Sequence, residues 1–95
     1  MDLESIVRLR PDQVSNELGE DQVILSLSAG VYFGLNPMGS FIWKEMTGAR
    51  PVRAIRDAVL AHYEVTPERC EKDLFDLLSR LSAEGLIETR DPLDS

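Results

Sequence analysis

Residues 30–43 read GVYFGLNPMGSFIW. The fold turns on how this stretch changes its period. Val31–Leu35 (VYFGL) is a run of strand formers. Asn36-Pro37 follows, and a helical pattern carrying Trp43 starts at once. Asn36 suits a helix cap, because its side chain accepts from the unpaired N–H groups of the first turn. Pro37 suits the first helical position, where the N–H it lacks would have no partner. The stretch is a strand-to-helix junction. It holds no Ser-His pair, no metal-ligand spacing and no phosphate loop.

Working upstream, Gln22–Ser28 (QVILSLS) is a second strand, rich in Val, Ile and Leu. Val14–Leu18 is a weaker one. Gly19-Glu20-Asp21 and Ala29-Gly30 are turn chemistry. Short connections favour antiparallel neighbours, which predicts a three-stranded meander ending in VYFGL. The first ten residues form a mixed strand or arm, with Ile6, Val7 and Leu9 set around Arg8 and Arg10, and Pro11-Asp12 breaks it.

Downstream, the first helix runs to about Met46 and buries Phe41, Ile42 and Trp43 in part, with Thr47-Gly48 ending it. A second helix, about Pro51–His62, places Val52, Ile55, Val59 and Tyr63 at spacings of three and four. Thr66 caps a third, about Pro67–Glu84, whose apolar stripe is Cys70, Leu74, Leu77, Leu78 and Leu81, with Phe75 at its margin. Gly85 stops it. Leu86-Ile87 folds back as a small strand or hydrophobic tie-down, and DPLDS is a frayed end. The order is α+β: a three-stranded antiparallel sheet followed by three helices, winged helix-turn-helix-like.

The totals bound the function. Ninety-five residues make one small domain. Hydrophobic content of 43% and charged content of 28% are ordinary for a soluble fold. No apolar run approaches a membrane span, and MDLESIVRLR lacks the apolar core of a signal peptide. One cysteine makes no internal disulfide, so a reduced, cytoplasmic setting is the default. The net charge of −7 argues against nucleic acid and fits a neutral or basic partner, or simply solubility.

Catalytic chemistry is sparse. His62, the lone histidine, ends a helix with no nucleophile beside it. Cys70 reads as a small buried hydrophobe. Glu68, Glu71, Asp73, Asp76 and Glu84 read as the solvated face of the third helix. We therefore expect a non-enzyme, with no metal and no cofactor. For DNA, the third helix sets Arg69, Lys72 and Arg80 against five acids, the wrong balance for a recognition helix. Arg50, Arg53 and Arg56 make a patch only.

Peptide binding remains. In a simple meander VYFGL is an edge strand, with no charge and no proline to block further pairing. Gly34 leaves room for close approach of another backbone. An added strand would gain affinity from main-chain hydrogen bonds and specificity from side-chain pockets. The alternative is that the tail or a second copy covers this edge.

The same stretch, with the helix start after ARPV and the closing VTPERCEKDLFDLLSRLSAEGLIE, resembles the PqqD-like family, the recognition elements for ribosomally made, modified peptides. The resemblance spans about residues 5–88 of a single domain covering 1–95. It rests on Tyr32-Phe33, Gly34-Leu35-Asn36, Gly39, Ile42-Trp43 and Leu81…Gly85-Leu86-Ile87. Met38, where a small polar residue or Thr is common, and Phe75, at a more often polar position, depart from the pattern. Within the family it is most similar to the stand-alone leader-binding proteins of lasso-peptide pathways. That resemblance implies strand addition of a leader peptide to Val31, Tyr32, Phe33, Gly34 and Leu35, beside Asp73, Leu74, Leu77, Leu78 and Arg80 of the third helix. It implies delivery to a separate cysteine-type leader protease and a cyclase, with no nucleic-acid or membrane partner. Two alternatives stay open: an adaptor for a radical SAM peptide-modifying enzyme of the PQQ type, and a winged-helix DNA-binding regulator.

Overall fold

The computed structural model describes residues 1–11, 13–19, 21–27 and 30–90. Asp12, Glu20, Ser28, Ala29 and the DPLDS end lie outside the described residues. The break, turn, strand-end and tail expectations at those positions are therefore not addressed.

Two three-stranded antiparallel sheets share the core. The first is the expected meander: β2 (Gln13–Leu18), β3 (Asp21–Ser26) and β4 (Val31–Leu35), in that order across the sheet. Gln13 pairs with Ser26 and Leu18 with Asp21, while Gln22 pairs with Leu35 and Ser26 with Val31. Gly19 and Gly30 both take positive φ, 68° and 69°, where other residues are strained. Along β3 the pleat sends Gln22, Ile24 and Ser26 inward, and Val23 and Leu25 are half-buried on the other face.

A second sheet adds to this order. Its strands are β1 (Ile6–Leu9), β5 (Arg50–Pro51) and β6 (Ile87–Arg90), with β1 in the centre. Ile6 pairs with Pro51 on one side and Arg90 on the other. The arm is thus a central strand, and the tail is a true strand rather than a loose tie-down. Leu86 and Ile87, 2% and 3% exposed, join the core.

The helices fall close to their expected bounds: α1 (Pro37–Glu45), α2 (Val52–His62) and α3 (Pro67–Ala83). Asn36 caps α1, its side chain accepting from the Gly39 N–H at 2.8 Å. Thr66 caps α3 through the Arg69 N–H at 3.3 Å. Pro51, expected inside α2, extends β5 instead, and the helix starts one residue later. Gly85 ends α3 at φ 73°, with Leu86 N–H donating to Leu81 O and Gly85 N–H to Ser82 O, both at 3.0 Å. This 6→1 and 5→2 pair is a Schellman motif.

Val7, Ile24, Trp43, Met46, Ile55 and Leu78, each 3% exposed or less, form the centre of the core. Ser40 and Gln22 are buried too, and the Ser40 hydroxyl donates to Gln22 Oε1 at 3.1 Å, tying α1 to β3. Among the described residues no helix is long and apolar enough to cross a membrane.

Candidate peptide-binding groove

β4 is the last strand of its sheet, and among the described residues no strand pairs with its outer edge. Its main-chain N–H and C=O groups there form an open row. A groove of about 260 Å³ lies beside it, lined by Phe33, Gly34, Leu35 and Asn36, by Met38, Gly39 and Ile42 of α1, and by Asp73, Asp76, Leu77 and Arg80 of α3.

The junction builds one end of this groove. The Asn36 cap fixes the angle between strand and helix. Gly39 lets them meet: a Cβ there would lie 3.3 Å from Asn36 Oδ1 and from Leu35 Cβ and Cδ2. Gly34 is different. It has no positive φ, and a Cβ on it would meet nothing within 4 Å. Neither backbone geometry nor packing among the described residues requires glycine at that position.

The site residues named from sequence divide. Phe33, Gly34, Leu35, Asp73, Leu77 and Arg80 come together around the groove. Leu74 and Leu78 do not line it; they are 1% and 0% exposed in the core, and this corrects their placement. On α3, Leu74, Leu78 and Leu81 form the core face, and Asp73, Leu77 and Arg80 lie one residue round the helix. Val31 and Tyr32, 45% and 73% exposed, also lie outside the lining. Tyr32 sits opposite Leu25 while Phe33 sits opposite buried Ile24, so the tyrosine faces the sheet's other side.

Asn36, Met38, Gly39, Ile42 and Asp76 border the groove without having been singled out as site residues. Asp76 follows Asp73 by three and precedes Arg80 by four, a spacing that puts all three on one helix face. Asp73 and Asp76, 45% and 67% exposed, stay on the solvated side of α3 and also border the groove. Phe75 packs half-buried against the core and is not in the lining.

Arg80 crosses toward the strand, its guanidinium carbon 5.2 Å from the centroid of the Phe33 ring. This is cation–π distance. Asp73 pairs with Arg69 at 3.3 Å and Asp76 with Lys72 at 3.6 Å, both i,i+4 and largely in water. Burial pushes the Cys70 thiol up, with the nearby Arg56 charge opposing it, and the side chain is 5% exposed. A thiol held protonated in the core is a poor nucleophile. His62 stacks on Phe41, ring centroids 4.7 Å apart.

The arginine patch considered for DNA is internally engaged. Arg50 pairs with Glu45, Arg53 with Glu4, and Arg56 with Asp57 at 3.0 Å and Glu71 at 3.8 Å. A second hollow, bordered by Ile6, Arg8, Ala49, Glu88, Thr89 and Arg90, is similar in size at about 290 Å³. Its strand β6 alternates Glu88 and Arg90 along the edge, and Arg8 clamps Glu88 at 2.6 Å. Charges of this kind guard an edge against pairing. The VYFGL edge has no such guard.

None of the curated proteins matches the sequence. Among solved structures, "TbiB1 in Complex with the TbiA(beta) Leader Peptide" is 34% identical, with a TM-score of 0.80 over 85% of this chain and 94% of that one. "Lasso peptide synthetase B1 complexed with the leader peptide" shares the fold at 23% identity, with a TM-score of 0.76 over 86% of this chain and 96% of that one. The family model for coenzyme PQQ synthesis protein D matches residues 21–87, from the start of β3 to the start of β6. With two of the meander's three strands, the capped junction and the groove inside that span, the chain belongs to the PqqD family.

Proposed function

We propose that this chain binds the leader segment of a ribosomally made precursor peptide, as a fourth strand on β4 in the groove beside α3. It presents the leader to a separate cysteine-type protease and a cyclase in lasso-peptide synthesis, and makes or breaks no bond itself. The observation that carries this is the uncharged edge of β4, unpaired among the described residues and bordering a groove. Two observations support it: Gly34 is left open with no internal reason, and both solved likenesses hold leader peptides.

The energetics are adequate. Four or five added strand hydrogen bonds contribute about 0.5–1.5 kcal/mol each. Burying two apolar peptide side chains adds roughly 1.5–3 kcal/mol apiece. Ordering the peptide offsets several kcal/mol, leaving an affinity on the order of micromolar to nanomolar. The delivery step needs a free surface. Val14, Leu25 and Tyr32 form a cross-strand apolar row on the outer face of the meander, away from the groove. Such a patch on a small protein fits a protein partner.

Calorimetry and amide NMR with the TbiA(beta) leader and with the cognate leader test the binding. Heat release with shifts centred on residues 31–35 is expected. Neither heat nor shift with either peptide would sink the reading. One alternative keeps a specific observation in its favour: the family match is to a PQQ synthesis protein, which fits an adaptor for a radical SAM enzyme. Co-purification with a protease or with an iron–sulfur enzyme separates the two. The DNA-binding reading loses its basis, because the arginine patch is paired and the net charge is −7.

A further inference from the structure

We infer that the groove selects a peptide carrying a basic side chain, Lys or Arg, at the position facing Asp73 and Asp76. This rests on the reading above: the open β4 edge makes the site, and the two acids decide which strand fits it. Three lining residues are ionised, Asp73, Asp76 and Arg80. They share one face of α3, so the acids lie about two turns and one turn before the arginine. Arg80 is held over the Phe33 ring, 5.2 Å from its centroid. Its charge therefore belongs to the Phe33 end of the groove, and the acids dominate the rest.

The present partners of the acids are weak competitors. Arg69 and Lys72 are both 74% exposed, and they meet the carboxylates only at 3.3 and 3.6 Å. Exposed pairs of this kind contribute little and swing away easily. A cation delivered by an added strand would enter a groove whose lining holds both acids together with Met38 and Leu77. Asp73 and Asp76 are 45% and 67% exposed, so this pairing outlasts its surface rivals because an added strand holds the cation in place, not because water is excluded. An acidic side chain at the same position would face two carboxylates, so rejection contributes as much as attraction. The net charge of −7 adds long-range attraction for a basic segment.

The test is selection of short random peptides on the full-length chain, beside a charge-swapped Asp73→Lys/Asp76→Lys variant. A milder Asp73→Asn/Asp76→Asn variant guards against misfolding of the swap. The wild type is expected to enrich Lys or Arg at one fixed position. Exchanging that residue for Glu in the selected peptide should weaken binding about tenfold, and added salt should narrow the gap. The Asn variant should lose the preference, and the swapped variant should reverse it. Peptides enriched on wild type without charge preference, or with one that neither variant alters, overturn the inference and leave the groove standing. Failure of wild type to enrich any peptide, with no shift at residues 31–35, overturns the groove and the inference together.

Discussion

On α3 a step of three residues separates Leu74, which is 1% exposed, from Leu77, which borders the groove. Leu74→Ala is expected to cost about 2–5 kcal/mol in urea denaturation, through lost burial and a residual cavity. Leu77→Ala is expected to cost less than about 1.5 kcal/mol while weakening leader binding roughly tenfold. The reverse pattern would show that the two faces are misassigned. Gly34→Val should preserve or slightly raise the melting temperature, since strand propensity favours Val and nothing lies within 4 Å of the new Cβ. Its side chain would share the outer face with Tyr32, so calorimetry should show a smaller loss of leader binding than for Leu77→Ala. Cys70 gives a pH signature. Burial raises its folded-state pKa above the unfolded one. Its contribution is intact below the ordinary thiol value and is lost as pH rises from there through the raised folded-state value. Melting curves should therefore fall more steeply above about pH 8.5 for wild type than for Cys70→Val. The split of α3 into two faces was not legible in the sequence. Leu77 and Leu78 are the same residue type, a hundred degrees apart, and only the position of the sheets decides which one is buried.

At the scale of elements, the strand-to-helix junction connects folding with the site. Asn36→Ala removes a cap hydrogen bond of 2.8 Å and should cost about 0.5–2 kcal/mol in denaturation. It should weaken peptide binding as well, because Asn36 and Gly39 shape one end of the groove. Unchanged binding at reduced stability would separate the junction from the site. Both side-chain caps, Asn36 and Thr66, were legible beforehand, since capping depends on residues three apart. The meander was legible for the same reason: its pairings close within a few residues of each turn. β5 was not. Two residues, Arg50-Pro51, become a strand only because β1 lies beside them.

For the whole molecule, β1 joins the two ends of the chain, pairing with β6 across some eighty positions of sequence. Ile87, 3% exposed, secures that join. Ile87→Asp should lower stability by about 3 kcal/mol or more, enough to abolish a cooperative melt if reserve is small. Circular dichroism during heating checks this, and a wild-type melt would remove β6 from the core. Charge acts at this scale as well: the arginines that suggested a DNA patch pair with acids brought from other elements. The sequence by itself determined the meander, the three helices with their caps, the sparse catalytic chemistry and the uncharged VYFGL strand, because each depends on neighbours a few residues away. Only the tertiary structure decided that no described strand pairs with the β4 edge, which leucines of α3 reach the groove, and that two acids border it. Those outcomes depend on which surfaces meet after distant segments pack, and local periodicity carries no record of that.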